Sequence, residues 1–415
     1  MYVDDDYTSS TDGWMIDHWD NMQDAVTYLD ITGTIYVYSG TYYENICIEN
    51  KSITFIGENR DTTVIDAQRN AISISDPLLQ WVDYVSYAMY FKNSDDSYVS
   101  GFKIINATSI DFYDAGLISI YSNLTITDNI FDNNYQSIYS DSDKLQKLIV
   151  ENNQITDYEM AGVYAVRIGE GSSINNNSFL GDRGACGILT AYATEFVIQN
   201  NTIGNHDFFA GLYLFSSNNT NIVGNDLFNN YYGSYFTNIE NSAYIDISGG
   251  TVSDSEYGFY FSNFEYNPVN ISNIDVFDNE YGMYFTNSNN NNLNISDSAF
   301  FDNTYGFYST QFEDNSVDFS NTNIYNNDYG MYFTKSDSNH LNFSDSAFFD
   351  NTYAFYTSQF ESNNVNISNS SISDNDNGIF LQTQKTMILL RRITGGVVSQ
   401  VHIMLIKIQV VKVIV

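Results

Sequence analysis

Basic residues are scarce in this chain: 15 Lys and Arg stand against 51 Asp and Glu in 415 residues, a net charge of −36. A polyanion of that density repels nucleic acid and anionic membrane surfaces, so neither is expected as a partner. Long apolar runs are missing as well. No stretch approaches the roughly 18 apolar residues that a membrane span requires. Histidine is rare, and His18, His206, His340 and His402 are scattered without metal-ligand spacing, which argues against a copper or zinc site. No cofactor is expected, with Ca²⁺ possible for so acidic a chain. Asp4-Asp5-Asp6 could touch that ion, although a lone acidic run is ordinarily solvated.

What the chain has instead is repetition. Tyr-Gly-apolar-Tyr, the apolar residue being Phe or Met, returns about every 24 residues, as Tyr257-Gly258-Phe259-Tyr260, Tyr281-Gly282-Met283-Tyr284, Tyr305-Gly306-Phe307-Tyr308 and Tyr329-Gly330-Met331-Tyr332, with Ala354 in the glycine position of the next copy. The same register reaches back through Gly233, Gly211, Gly187, Gly162 and Gly116. Each unit holds three short β-leaning runs and no room for a helix of ten or so residues. Alternation turns Met283 and Ile295 inward and Tyr284 and Asn294 toward water.

Three columns stay apolar from copy to copy: Phe259 to Phe355, Ile271 to Ile367, and Val276 to Ile372. A unit so small cannot bury its apolar face alone, so the copies must stack as coils of a parallel β-helix. Propeller blades are the rival, but blades need ~40 to 50 residues and here each half of such a pair carries all the columns. Asn279, Asn303, Asn327, Asn351 and Asn375, with Asn230 upstream, should form a turn ladder, Asn being tolerant of left-handed backbone. Met22, Ala25, Val26 and Leu29 fit one face of a short helix that would plug the open end.

These Asn-Asn turns, the Gly-led alternating strands, and the opening Asp20-Asn21-Met22-Gln23-Asp24-Ala25-Val26, Gly33-Thr34-Ile35-Tyr36-Val37 and Gly40-Thr41-Tyr42-Tyr43-Glu44 resemble the pectin lyase-like superfamily, most closely its NosD-like repeats. The resemblance covers about residues 1 to 380. It implies an all-β, single-stranded right-handed parallel β-helix with a capping helix; the repeat length gives about 14 coils over residues 35–380, after an N-terminal segment and capping helix at 1–34, and the change of composition marks 381–415 as an aberrant tail. It also implies an export signal upstream and an extracellular or cell-surface location. The copper-site role linked to NosD does not transfer, for no His or Met cluster is present. Sequons such as Asn123, Asn176, Asn200 and Asn270 support export and glycosylation. Cys47 and Cys186 would lie about six coils apart, too far for a disulfide's roughly 7 Å Cα separation, and are expected as buried fillers.

From Leu381 the chain loses all Asn, Asp, Glu, Tyr and Phe. Reading Leu381 to Leu389 out of frame gives codons compatible with much of the repeat segment Thr286 to Leu293, so the native repeat is expected to continue in another frame.

Two surfaces could carry function. Tyr235, Tyr260, Tyr284, Tyr308, Tyr332 and Tyr356 form an outward column, either stabilising or a platform for sugar rings or a protein. Arg167 and Arg183 are the only basic residues between Lys147 and Lys335, and Asp182, His206 and Asp207 fall within two coils of them, a weak catalytic candidate. The leading expectation is a non-catalytic exported surface protein for adhesion or structural display, partnered by polysaccharide or an envelope protein. The alternatives are a carbohydrate-binding module using the Tyr column and a polysaccharide lyase or glycoside hydrolase. The uninterrupted coils from 230 to 380 favour the first, because enzymes of this fold build clefts from long loops.

Overall fold

The computed structural model describes all residues except 75, 80–82, 109–111, 182–183, 385–386, 392–400, 408–409 and 415, with side chains up to Phe380. The chain divides into two compact units, Met1–Phe208 and Phe209–Val415. Among the described residues the strands wind into a parallel β-solenoid of about 14 turns. One α-helix, Met22–Tyr28, and a short antiparallel pair, Ile72–Ser73 with Tyr84–Val85, depart from that plan.

In the first unit a turn consists of three strands, as in Gln136–Asp141, Leu148–Glu151 and Gln154–Thr156. Inward residues meet their equivalents one turn away: Ile138 pairs in register with Leu117 and Val163, and Ile155 with Phe131 and Phe179. All of these side chains are buried. The helix carries Met22, Ala25 and Val26 as its buried face, whereas Leu29, expected on the same face, takes extended backbone as the residue that ends the helix and is only half-buried. Its first N–H groups, from Met22 and Gln23, both donate to the Glu44 carboxylate at 2.9 Å, placing negative charge where the helix dipole favours it. The Gln23 carboxamide accepts from the Cys47 N–H (2.7 Å) and donates to the Cys47 carbonyl (3.3 Å), so a side chain takes the place of a neighbouring strand. Cys186 is buried as expected, whereas Cys47, which is only half-buried, occupies this edge.

In the second unit the turns are nearly identical, as in Tyr281–Asn289, Asn292–Ser296 and Ala299–Phe301. The three apolar columns run in unbroken register and are buried throughout. A small residue is required between the two tyrosines because the turns approach closely there: a Cβ on Gly282 or Gly306 would lie 2.7 Å from the carbonyl oxygen of the next glycine in the column.

The asparagine ladder is present and buried, and its chemistry is richer than amide stacking. Asn303 donates from Nδ2 to the carbonyls of Val276 and Phe301 (3.0 Å each) and to Asn327 Oδ1 (3.1 Å). Its own Oδ1 accepts from Asn279 N and Nδ2. Left-handed backbone, however, falls on the residue before each ladder Asn, at Asp278, Asp302, Asn326, Asp350 and Asp374 (φ 56° each). Ser255 fills the ladder between Asn230 and Asn279. A second ladder, Asn267, Asn291, Asn315, Asn339 and Asn363, turns another corner, and Asn129, Asn153, Asn177 and Asn201 do the same in the first unit.

Beyond Phe380 the backbone strands Met387–Arg391, Val401–Lys407 and Val410–Ile414 continue the parallel pairing. The register against Tyr353–Glu361 slips by one residue between Thr357 and Phe360, just past the Thr357–Leu381 pair.

Candidate functional site

The tyrosine column of the second unit is a stack of rings. Tyr260, Tyr284, Tyr308, Tyr332 and Tyr356 follow one another at centroid separations of 4.9–5.1 Å with planes within 19° of parallel. Tyr235 meets Tyr260 edge-on at 4.9 Å. A second row, Tyr257, Tyr281, Tyr305, Tyr329 and Tyr353, stacks beside it at 4.9–5.1 Å. The two rows meet edge to face, as Tyr281 does with Tyr284 (5.2 Å, 87°). Each ring in the run therefore turns its faces to its neighbours and its rim outward. Face-on stacking with a sugar, the contact that a flat aromatic strip would offer, is not available along the run. Burial, and after it the neighbouring Tyr308 and Tyr260, push the Tyr284 phenol up to about 12.

The first unit arranges its aromatics differently. Tyr139 and Tyr164 are register partners on the outward side of their strands and meet at 5.4 Å and 73°. Tyr113 lies on Tyr139 at 66° and Phe112 on Tyr164 at 88°. None of these rings stacks face to face with another; Tyr139 is buried, Tyr113 and Tyr164 are half-buried, and Phe112 is 44% exposed.

Arg167 stands at the same corner in left-handed backbone (φ 54°), just past Ala161–Val166. Its Nη2 donates to Asp141 Oδ1 at 2.5 Å, and its Nε donates to the Ser142 carbonyl. Asp141 also accepts from the Ser142 N–H (2.7 Å) and from the Tyr139 hydroxyl (3.2 Å). Burial raises the pKa of its carboxyl, and Arg167 and these donors oppose the rise. Burial and the Asp141 charge raise that of the Tyr164 phenol, with Tyr192 and Arg167 also in its field. Asp141 was not among the acids singled out in sequence. The signal was there: it lies one turn before Arg167, at the end of the strand that carries Tyr139.

The other candidates do not join this group. His206 is fully buried, with Nε2 hydrogen-bonded to the equally buried Tyr158 hydroxyl. Gly181 and Gly184 lie against that pair. Asp207 is exposed on the strand Thr202–Phe215. Asp182 and Arg183 lie outside the described residues.

The model of a family described as periplasmic copper-binding protein (NosD) matches residues 26–240 and 209–362. The chain belongs to the NosD family. Among solved structures, this NosD-family chain is similar to the catalytic unit of a GH87 α-1,3-glucanase from Streptomyces thermodiastaticus, at 12% identity and a TM-score of 0.52, covering 76% of this chain and 63% of that one. That likeness shows the right-handed parallel β-helix fold. It is also similar to the mannuronan C-5 epimerase AlgE4 A-module of Azotobacter vinelandii (11% identity, TM-score 0.35, 92% and 91% covered) and to the periplasmic alginate epimerase AlgG (12%, 0.43, 84% and 84%). No curated protein sequence matches it significantly.

The donors among the described residues do not fit copper. His18 is engaged by Asp17 and stacked on Tyr2, His206 and Cys186 are buried, and Met283 and Met331 are core residues. The one converging group of His, Cys, Asp or Glu side chains among the described residues is Asp4, Asp5 and Asp6, with ligand atoms within 4.8 Å. An all-oxygen set suits a hard cation and not copper. No helix among the described residues is long and apolar enough to cross a membrane.

Proposed function

We propose that this chain is an exported, non-catalytic β-solenoid that adheres to polysaccharide through the Phe112, Tyr164 and Arg167 corner of its first unit, while the tyrosine rows of the second unit stabilise its stack. The contrast in ring geometry carries the proposal: among the described residues the exposed Phe112 ring stacks on no other ring, whereas the rings of the second unit cover one another's faces. Asp141 is a poor catalyst. A general acid or base must reach the substrate's proton, and both oxygens of this buried carboxylate are already held by Arg167, Ser142 and Tyr139.

A family-typical periplasmic or extracellular setting supplies such polymers, and the chain's acidity favours neutral ones. Replacing Phe112 and Tyr164 together by Ala should lower retention on a neutral polysaccharide about tenfold, since each aromatic contact contributes roughly 0.5–1.5 kcal/mol. The Tyr284→Ser, Tyr308→Ser, Tyr332→Ser variant should retain it. The opposite pattern would return binding to the ladder.

A further inference from the structure

A different corner of the first unit holds an open groove of about 390 Å³, lined by Arg60, Asn152, Gln154, Asn176, Asn200 and Thr202 among others. It follows from the way the chain turns there. At each turn two asparagines occur in succession. The inner one, Asn153, Asn177 or Asn201, is buried in the ladder. The outer one, Asn152, Asn176 or Asn200, takes left-handed backbone (φ 57°, 55° and 53°) and is exposed.

The inner carboxamides are committed to protein. The outer ones are not: among the described residues the side chains of Asn152, Asn176 and Asn200 make no hydrogen bond to protein, and neither do those of Gln154 and Thr202. Successive turns superimpose at about 4.8 Å, so donor and acceptor pairs recur along the groove at that rise. Arg60 reaches over it from a distant turn, its Nη1 donating to the Asn152 carbonyl at 3.3 Å. It forms no ion pair among the described residues. In a chain with 51 acidic residues this lining contains no carboxylate.

Paired donors and acceptors at a regular rise, without negative charge, match a polymer of hydroxyl-bearing rings. Carboxamides and a guanidinium fork satisfy neighbouring hydroxyls two at a time. We infer that this groove is a second glycan site, taking a neutral polysaccharide whose chain runs along the stack and is held by hydrogen bonds instead of ring contacts. The inference extends the adhesive reading above, yet rests on separate residues.

The test uses the full chain made without glycosylation and a neutral glucan oligosaccharide long enough to cross three turns. Asn152→Gly, Asn176→Gly and Asn200→Gly together remove the carboxamides while keeping a residue at home in left-handed backbone. Affinity should fall about tenfold or more in that variant, and several-fold in Arg60→Gln, at unchanged melting temperature. Adding these three Asn changes to a chain that already carries Phe112→Ala and Tyr164→Ala should lower oligosaccharide affinity about tenfold further, which separates this site from the aromatic corner. Equal affinity in the triple variant would overturn the inference. So would binding of a uronate oligosaccharide in preference to the neutral one, or failure of the oligosaccharide to bind a chain that still retains polymer.

Discussion

At the scale of single residues the solenoid depends on buried carboxamides. Asn303 makes three donor contacts through Nδ2 and accepts two, and Asn327 on the next turn does the same. Asn303→Ala would strand the Asn279 donors and two carbonyls in a dry corner. A loss of about 3 kcal/mol is expected in urea unfolding. Asn303→Ser should cost less, because Ser255 already fills the equivalent place. The ladder column was legible because Asn recurs there with hardly a break. The left-handed position beside it was not, since Asp and Asn share it and both tolerate that backbone. The Asp141–Arg167 pair was missed for another reason: contacts in a solenoid run one turn away, and the acids nearest in sequence were the wrong place to look.

At the scale of strands the outward tyrosines of the second unit act together. Their position was legible from alternation alone, whereas the direction of the rings depends on side-chain angles that no pattern of residue types specifies. Stacking has a consequence for pH. The Tyr284 phenol titrates near 10 when unfolded and at about 12 when folded. Between those values the folded chain binds more protons, so the contribution to stability is complete below pH 10 and is lost as pH rises toward 12. The phenolate absorbance that Tyr284 contributes, taken as the difference from the Tyr284→Phe variant, should therefore appear together with loss of the β-sheet circular dichroism signal; its appearance near pH 10 in an intact fold would contradict the burial of that ring. The slip in pairing just past Leu381 falls where the composition changes. We propose that the reading frame shifts there. Resequencing the 3′ end of the gene in independent clones should show the shift, and an intact frame in all of them would remove it.

At the scale of the molecule each unit solves the same problem, that of burying the apolar face of a small repeat. Fold class, turn count and capping helix could be read from the repeat because periodicity, turn chemistry and stacking all require the same answer. Functional surfaces could not. They depend on where the repeat is broken, as by the residues around Phe112 and the turn that carries Arg60, and such breaks have no period. The first unit is the irregular one and holds both proposed glycan contacts, whereas the second is nearly uniform from Tyr257 to Asp376. The central claim is adhesion without cleavage. It is tested most directly by incubating the chain with a panel of neutral and acidic polysaccharides, with and without Ca²⁺, and scoring retention and product release together. Retention on neutral polymers without any release of shorter products is expected; released oligosaccharides, or unsaturated ends, would contradict the account and make the Arg167 corner an active site.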